Sequence, residues 1–316
     1  MRFISAAQCL SIVTHKLAFD AIKTALIAVA SPQSTLFPVL VGHGSDTTTR
    51  FGVKSATQSV TEPLSGLKIG TYWPKNSERG LPCHNSYILL LNDQTGELQT
   101  VIDGGKVNAY RTAAADAVAA TVLARAESAQ LAIFGAGHQA YYEVDALLER
   151  FPITSVHIVN RDPQKAENLR QHLLTKGVNA TLSEAETACK AADIIVTATG
   201  STSALFQADW IKPGTHIASM GSDAKGKQEL PPELFTQARL FADLPEQSCT
   251  LGEFQHISTL REAPNITVTA IGEVILGQSE GRMNASDITI FDSSGVALQD
   301  LYIAAAIVAA LDDVGA

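Results

Sequence analysis

Gly135, Gly137 and Ala140 stand in a G-x-G-x-x-A spacing after the apolar run Gln130–Phe134, and a helical pattern continues through Tyr141–Glu149. Each small residue has a physical task in binding a dinucleotide. Gly135 permits the tight turn, Gly137 lets the backbone approach a pyrophosphate, and Ala140 lets the helix pack on the strand. The pyrophosphate would rest on free N–H groups at the helix N-terminus, which places Gly135, Ala136, Gly137, His138 and Gln139 around it. The next apolar run ends in Val159-Asn160-Arg161-Asp162. An acid at that tip would bond the ribose 2′-hydroxyl of NAD, whereas Asn160 and Arg161 offer an amide and a guanidinium suited to a 2′-phosphate. NADPH is therefore the expected cofactor, with NADH as the alternative. Asp162, followed by Pro163, also reads as the N-cap of the next helix.

Positioning that loop requires a parallel sheet. From about residue 130 to 290, short apolar runs alternate with helical stretches: Gln130–Phe134, Ser155–Val159, Asp193–Thr197, His216–Met220, Leu240–Ala242 and Ile288–Phe291. Such alternation predicts an α/β domain with a Rossmann-type, doubly wound parallel sheet. The first third differs. Strand-like pieces Thr35–Val41, Arg50–Ala56, Leu67–Trp73 and Tyr87–Leu91 are separated by Gly, Pro, Asn and Asp, and Gly96 closes a hairpin to Leu98–Ile102. This predicts a second, mixed α/β domain. The Ala-rich helix that follows, from Asn108, carries the junction, and Val296–Leu311 is a final helix expected to return to the first domain. The expected domains are 1–115 completed by 296–316, and 116–295.

Composition narrows the function. The 316 residues hold 23 Lys+Arg against 32 Asp+Glu, a net charge of −9 without blocks of like charge, which disfavours nucleic acid as a partner. Cys9, Cys83, Cys189 and Cys249 form no C-x-x-C pair, so neither a zinc clamp nor dithiol chemistry is expected, and no metal is assigned. Reduced thiols suit a cytoplasmic protein. Arg2, His15, Lys16 and Asp20 interrupt any signal-peptide core, and Tyr302–Leu311 is too short to span a bilayer.

Several stretches taken together resemble the ornithine cyclodeaminase/mu-crystallin family: L-K-I-G-T-Y-W-P-K-N from Leu67, L-P-C-H-N-S from Leu81, N-A-Y-R-T-A-A-A from Asn108, the Gly135 loop, and G-S-D-A-K-G-K-Q-E-L from Gly221. The second and third look most like the Δ1-pyrroline-2-carboxylate reductase branch. The resemblance implies a substrate-binding and dimerising first domain, hence a homodimer, and an NAD(P)-binding second domain. It implies reduction of a small cyclic imino acid, Δ1-pyrroline-2-carboxylate and its six-membered homologue Δ1-piperideine-2-carboxylate, to L-proline and L-pipecolate.

By the same resemblance Arg111 holds the substrate carboxylate, where its planar fork suits bidentate binding. Lys68 is the active-site lysine and proton donor. Asp223 orients the imine nitrogen or its water, His84 and Asn85 line the substrate pocket, and Thr199, Met220 and Gly295 approach the cofactor. One departure stands out: where many members carry R-T-x-x-P, this chain has Ser34-Thr35-Leu36-Phe37-Pro38, leaving Arg50 or Lys54 to replace the missing cation. Ornithine cyclodeamination, alanine dehydrogenation and non-catalytic NADPH binding share the same features and are the alternatives.

Overall fold

The computed structural model describes residues 1–60, 62–260 and 266–315. The chain divides into two compact units, Met1–Arg111 with Val296–Ala316, and Thr112–Gly295. The division falls four positions before the expected 115/116, inside one continuous helix, because a helix of small residues crosses a domain junction without a sequence break.

The first unit carries β1 (Arg2–Ile4), α1 (Ala6–Ile12), α2 (His15–Val29), β2 (Ser34–Leu36), β3 (Leu40–Gly42), β4 (Arg50–Gln58), β5 (Leu64–Tyr72), β6 (His84–Leu91) and β7 (Leu98–Asp103). It also holds the start of α3 (Val107–Leu123) and the final helix, which spans Ala297–Gly315. Strands β4 to β7 form an antiparallel meander, β1 adds to β7 in parallel, and β2 and β3 both pair with β4. Thr35–Val41 is thus two strands rather than one. Pro38 lies in the gap, where it can donate no ladder hydrogen bond. Gly96 has φ +72°, as the hairpin turn predicts. Helix α2 is capped by Thr14, whose side chain accepts from the Leu17 N–H. It buries Ala18, Ala21, Ile22, Ala25 and Leu26, the i, i+3, i+4, i+7, i+8 stripe of an amphipathic helix. Burying each Ile or Leu of such a stripe stabilises the fold by about 1.5–3 kcal/mol.

The second unit continues with β8 (Gln130–Phe134), α4 (His138–Leu148), β9 (Ser155–Val159), α5 (Pro163–Thr175), β10 (Asn179–Leu182), α6 (Ala185–Ala191) and β11 (Ile194–Thr197). Then come β12 (His216–Ser219), β13 (Arg239–Ala242), α7 (Pro245–Leu251), β14 (Val268–Ala270), α8 (Ile271–Ile275) and β15 (Thr289–Asp292), while the final helix of the first unit is α9. The order β10-β9-β8-β11-β12-β15-β13-β14 is parallel throughout, a Rossmann-like sheet. The chain runs from β8 to one side and then returns to the other, so the switch point lies between β8 and β11, where open α/β sheets bind ligands at their carboxyl ends. Central strands β11, β12 and β15 are buried at every position, which explains their apolar centres, Ile194–Val196, Ile217–Ala218 and Ile290–Phe291, with polar residues confined to the strand ends.

Candidate functional site

In the first unit, β5 brings Lys68 to the sheet face that α9 covers. Gly66, two residues earlier on that face, lets the helix come close: a Cβ there would lie 2.9 Å from Leu301 of α9 and 2.2 Å from the Leu89 carbonyl of the neighbouring strand β6. Asp300, on the same helix, receives the Lys68 ammonium at 2.9 Å from Oδ1 and 2.8 Å from Oδ2. Arg111 approaches from α3, with its Nε 3.3 Å from the same Oδ1. Its two terminal nitrogens donate to Gln299 at 3.2 Å and Asn108 at 3.1 Å. Asn108 Oδ1 also accepts from Lys68 at 3.3 Å. Lys68, Arg111 and Asp300 are all buried, at 8 %, 9 % and 2 % exposure.

Two consequences follow for chemistry. A guanidinium has five N–H donors, and two of them are taken by Gln299 and Asn108 while the buried Nε–H makes no hydrogen bond, so each terminal nitrogen keeps one N–H that a carboxylate could accept. Burial pulls the Lys68 pKa down to about 8; Arg111 and Lys54 push the same way, and Asp300 opposes them. That value suits proton transfer near neutral pH. Lys54 stands directly opposite Lys68 in the β4–β5 ladder and on the same face, whereas Arg50 pairs with Tyr72 at the far end.

The register separates two residues that the sequence groups. His84 pairs with Tyr72, on the Lys68 face, and its ring stacks at 4.6 Å on that tyrosine. Asn85 pairs with Thr71 and so occupies the opposite face. Asp300, Gln299 and Asn108 were not singled out from the sequence.

In the second unit, Gly135 has φ +106°, and a Cβ there would lie 2.6 Å from the Ala198 carbonyl, so only glycine fits. Gly137 is the N-cap of α4 with no side-chain cap, and a Cβ added to it meets nothing within 4 Å. A helix N-terminus without a side-chain cap, entered through a glycine with room at its Cβ, is a fit for an anion, and the residues present fit a dinucleotide pyrophosphate. Ala140 is fully buried beneath. The ring of His138 packs on Tyr142 and Gln139 donates to Glu143. Asn160 donates to the Asp162 carbonyl, Asp162 caps α5 by accepting from Gln164 and Lys165, and Arg161 is exposed at the strand tip.

The other candidate residues sit on loops that leave the carboxyl ends of neighbouring strands. Thr199 follows β11, Met220 and Asp223 follow β12, and Gly295, with φ +73°, follows β15. Asp243 organises the last loop, accepting from Ser293 at 3.1 Å, Ser294 at 3.2 Å and the Gly295 N–H at 2.7 Å. Asp223 is paired with Lys227 at 2.6 Å, with its side chain 60 % exposed. Among the described residues, no helix is long and apolar enough to cross a membrane.

Known proteins share this architecture over its whole length. Iminosuccinate reductase of Paracoccus denitrificans is 34% identical over 311 residues, covering 98% of this chain and 96% of its own. Its crystal structure in complex with NAD+ superposes with a TM-score of 0.93, covering 100% of this chain and 97% of that one. The ketimine reductase mu-crystallin of Mus musculus is 31% identical over 282 residues, 87% of this chain and 83% of its own. An archaeal alanine dehydrogenase dimer with bound NAD is 28% identical with a TM-score of 0.92, covering 100% and 97% of the two chains. These relatives are reductases and dehydrogenases, and two of them hold NAD in their structures. The family model for the ornithine cyclodeaminase/mu-crystallin family matches residues 4–313, and the chain belongs to that family.

Proposed function

We propose that the protein is an NAD(P)H-dependent reductase of α-imino acids, acting on the cyclic ketimines Δ1-pyrroline-2-carboxylate and Δ1-piperideine-2-carboxylate. The observation that carries this reading is the buried Lys68–Asp300–Arg111 cluster, in which a guanidinium with spare N–H donors stands beside a lysine whose pKa burial pulls down to about 8. Arg111 holds the substrate carboxylate. The nicotinamide, when bound, supplies hydride to the imine carbon. As that C–H bond forms, the C=N π pair moves to nitrogen, and Lys68 either keeps a proton there or delivers one, returning to the ammonium from solvent. Asp300 anchors both cations, and Asp223 orients water or nitrogen from its loop. The protein acts as a homodimer in the cytoplasm, on a small-molecule substrate and without nucleic acid or membrane partners.

Lys54 supports a second reading. Placed beside Lys68, it offers a further cation, and an open-chain imino dicarboxylate would use it. The likeness to iminosuccinate reductase over nearly the whole chain favours the same substrate. The test is NAD(P)H oxidation with pyrroline-2-carboxylate, piperideine-2-carboxylate, iminosuccinate generated from oxaloacetate and ammonia, pyruvate with ammonia, and ornithine. Efficient turnover of either ring supports the first reading. If iminosuccinate is preferred and Lys54→Met removes the preference, the second holds. Ornithine-dependent ammonia release without net NAD(P)H oxidation would overturn both.

Arg161 sets the nucleotide. Replacing it with alanine is expected to weaken NADPH roughly tenfold while leaving NADH nearly unchanged, since a charge-assisted contact to the 2′-phosphate is lost in only one of them. Equal effects in fluorescence titrations with the two cofactors would remove Arg161 from that role.

A further inference from the structure

Glu229 is fully buried, and its two carboxylate oxygens gather donors from the ends of two strands and the loops that leave them, the Ser219 hydroxyl being shared with Glu253. Oε1 accepts from the Thr199 N–H and the Thr199 hydroxyl, both at 2.7 Å. Oε2 accepts from the Gly221 N–H at 2.9 Å, the Thr197 hydroxyl at 2.8 Å and the Ser219 hydroxyl at 3.3 Å. Thr197 and Ser219 are the final, directly paired residues of β11 and β12. The carboxylate therefore ties together the loops leaving two adjacent strands at their carboxyl ends. The loops pack at backbone distance: a Cβ on Gly221 would lie 2.2 Å from the Thr199 carbonyl and 2.6 Å from Glu229 Oε1. Glu229 is itself held by Glu253, which accepts from the Glu229 N–H at 3.0 Å and the Leu230 N–H at 2.8 Å.

We infer that Glu229 is a positioning residue that fixes the Thr199 and Met220–Gly221 loops for the nicotinamide half of the cofactor, with no part in holding the adenosine half. The inference rests on the nucleotide-binding reading of the Gly135 loop. Its chemistry is specific to a carboxylate, because each of the two oxygens accepts a backbone N–H that cannot turn away. Glutamine has one oxygen; in either flip its NH2 would face the Thr199 or the Gly221 N–H, donor against donor. That loop must then shift. Glu229 makes no hydrogen bond to the Gly135 turn or to the Asn160–Arg161 tip; the turn abuts the loop only through Ala198 and Thr199, so adenosine binding is expected to change far less than nicotinamide binding.

The experiment compares whole and half cofactors on the full chain. NADPH, NADH, 2′,5′-ADP and ADP are titrated into the wild type, Glu229→Gln and Thr197→Val, the last removing one hydroxyl donor from the same carboxylate while keeping the side-chain shape. Glu229→Gln is expected to weaken NADPH roughly 10- to 100-fold and to lower turnover, with 2′,5′-ADP held within about twofold. Thr197→Val should show the same split to a smaller degree, and it decides the matter if Glu229→Gln does not fold. A loss shared equally by whole and half cofactors, or by neither, overturns the positioning role while leaving the nucleotide-binding reading intact. Wild type that binds none of the four overturns both.

Discussion

Lys68→Met is expected to lower turnover of the imine about 10²- to 10⁴-fold, the contribution of a positioned general acid, while NADPH binding stays normal. The pH profile carries the sharper signature. With burial holding Lys68 near 8, the ammonium form that donates the proton predominates below pH 8 and is lost above it. In the wild type, kcat/KM should therefore hold level up to about pH 8 and fall tenfold per pH unit beyond. The residual activity of the methionine variant should lack that limb. If the variant kept the limb, the titrating group would lie elsewhere and Lys68 would be only a structural cation.

Asp300→Asn should damage both fold and chemistry. The substitution leaves Lys68 and Arg111 buried beside each other with their shared counter-charge gone, a situation that costs about 3–5 kcal/mol. Thermal unfolding should move down by roughly 10 °C. Asp300 is also the group that raises the Lys68 pKa against burial, so the alkaline limb should shift below pH 8 in this variant. Linkage gives the sign for stability: between about 8 and the ordinary lysine value of 10.5 the unfolded chain holds a proton that the folded chain has released. Stability from this group therefore rises with pH across that window, and the window widens in Asp300→Asn. An unchanged melting temperature with an unchanged limb would show that Asp300 does not govern the cluster.

Much of the second unit is legible in its sequence because parallel, doubly covered strands read as apolar runs and the Gly135 turn has a fixed grammar. The edge strands β10 and β14 escape that pattern. Asn179–Leu182 shows one buried residue in four, and Val268–Ala270 is only three residues long. In the candidate site, Lys68 and Arg111 are found by resemblance, yet the group that joins them is not, since Asp300 lies far along the chain in a helix that reads as apolar. A signal was present. Asp300 is the single charge between Val296 and Leu311, and an acid in such a helix requires a buried cation. Glu229 falls inside the quoted Gly221–Leu230 stretch but carries no motif of its own, because its partners are two backbone N–H groups and the hydroxyls of Thr and Ser residues that are common at strand ends. The separation of His84 from Asn85 depends on strand register, which a one-residue slip would reverse.

The contact between Lys68 and Asp300 closes a loop of 232 residues, and this orders the birth of the protein in time. Synthesis at about 5–20 residues per second puts roughly 10–50 s between the appearance of the lysine and that of its carboxylate. During that interval the strands of the second unit emerge one after another, β15 last and only eight residues ahead of Asp300, while the first unit waits with two cations lacking their counter-charge and one sheet face lacking its covering helix. The unit that begins the chain is thus the last to be completed, and the residues of the cofactor cradle, β8 and α4, are made long before the carboxylate that completes the Lys68–Arg111 cluster.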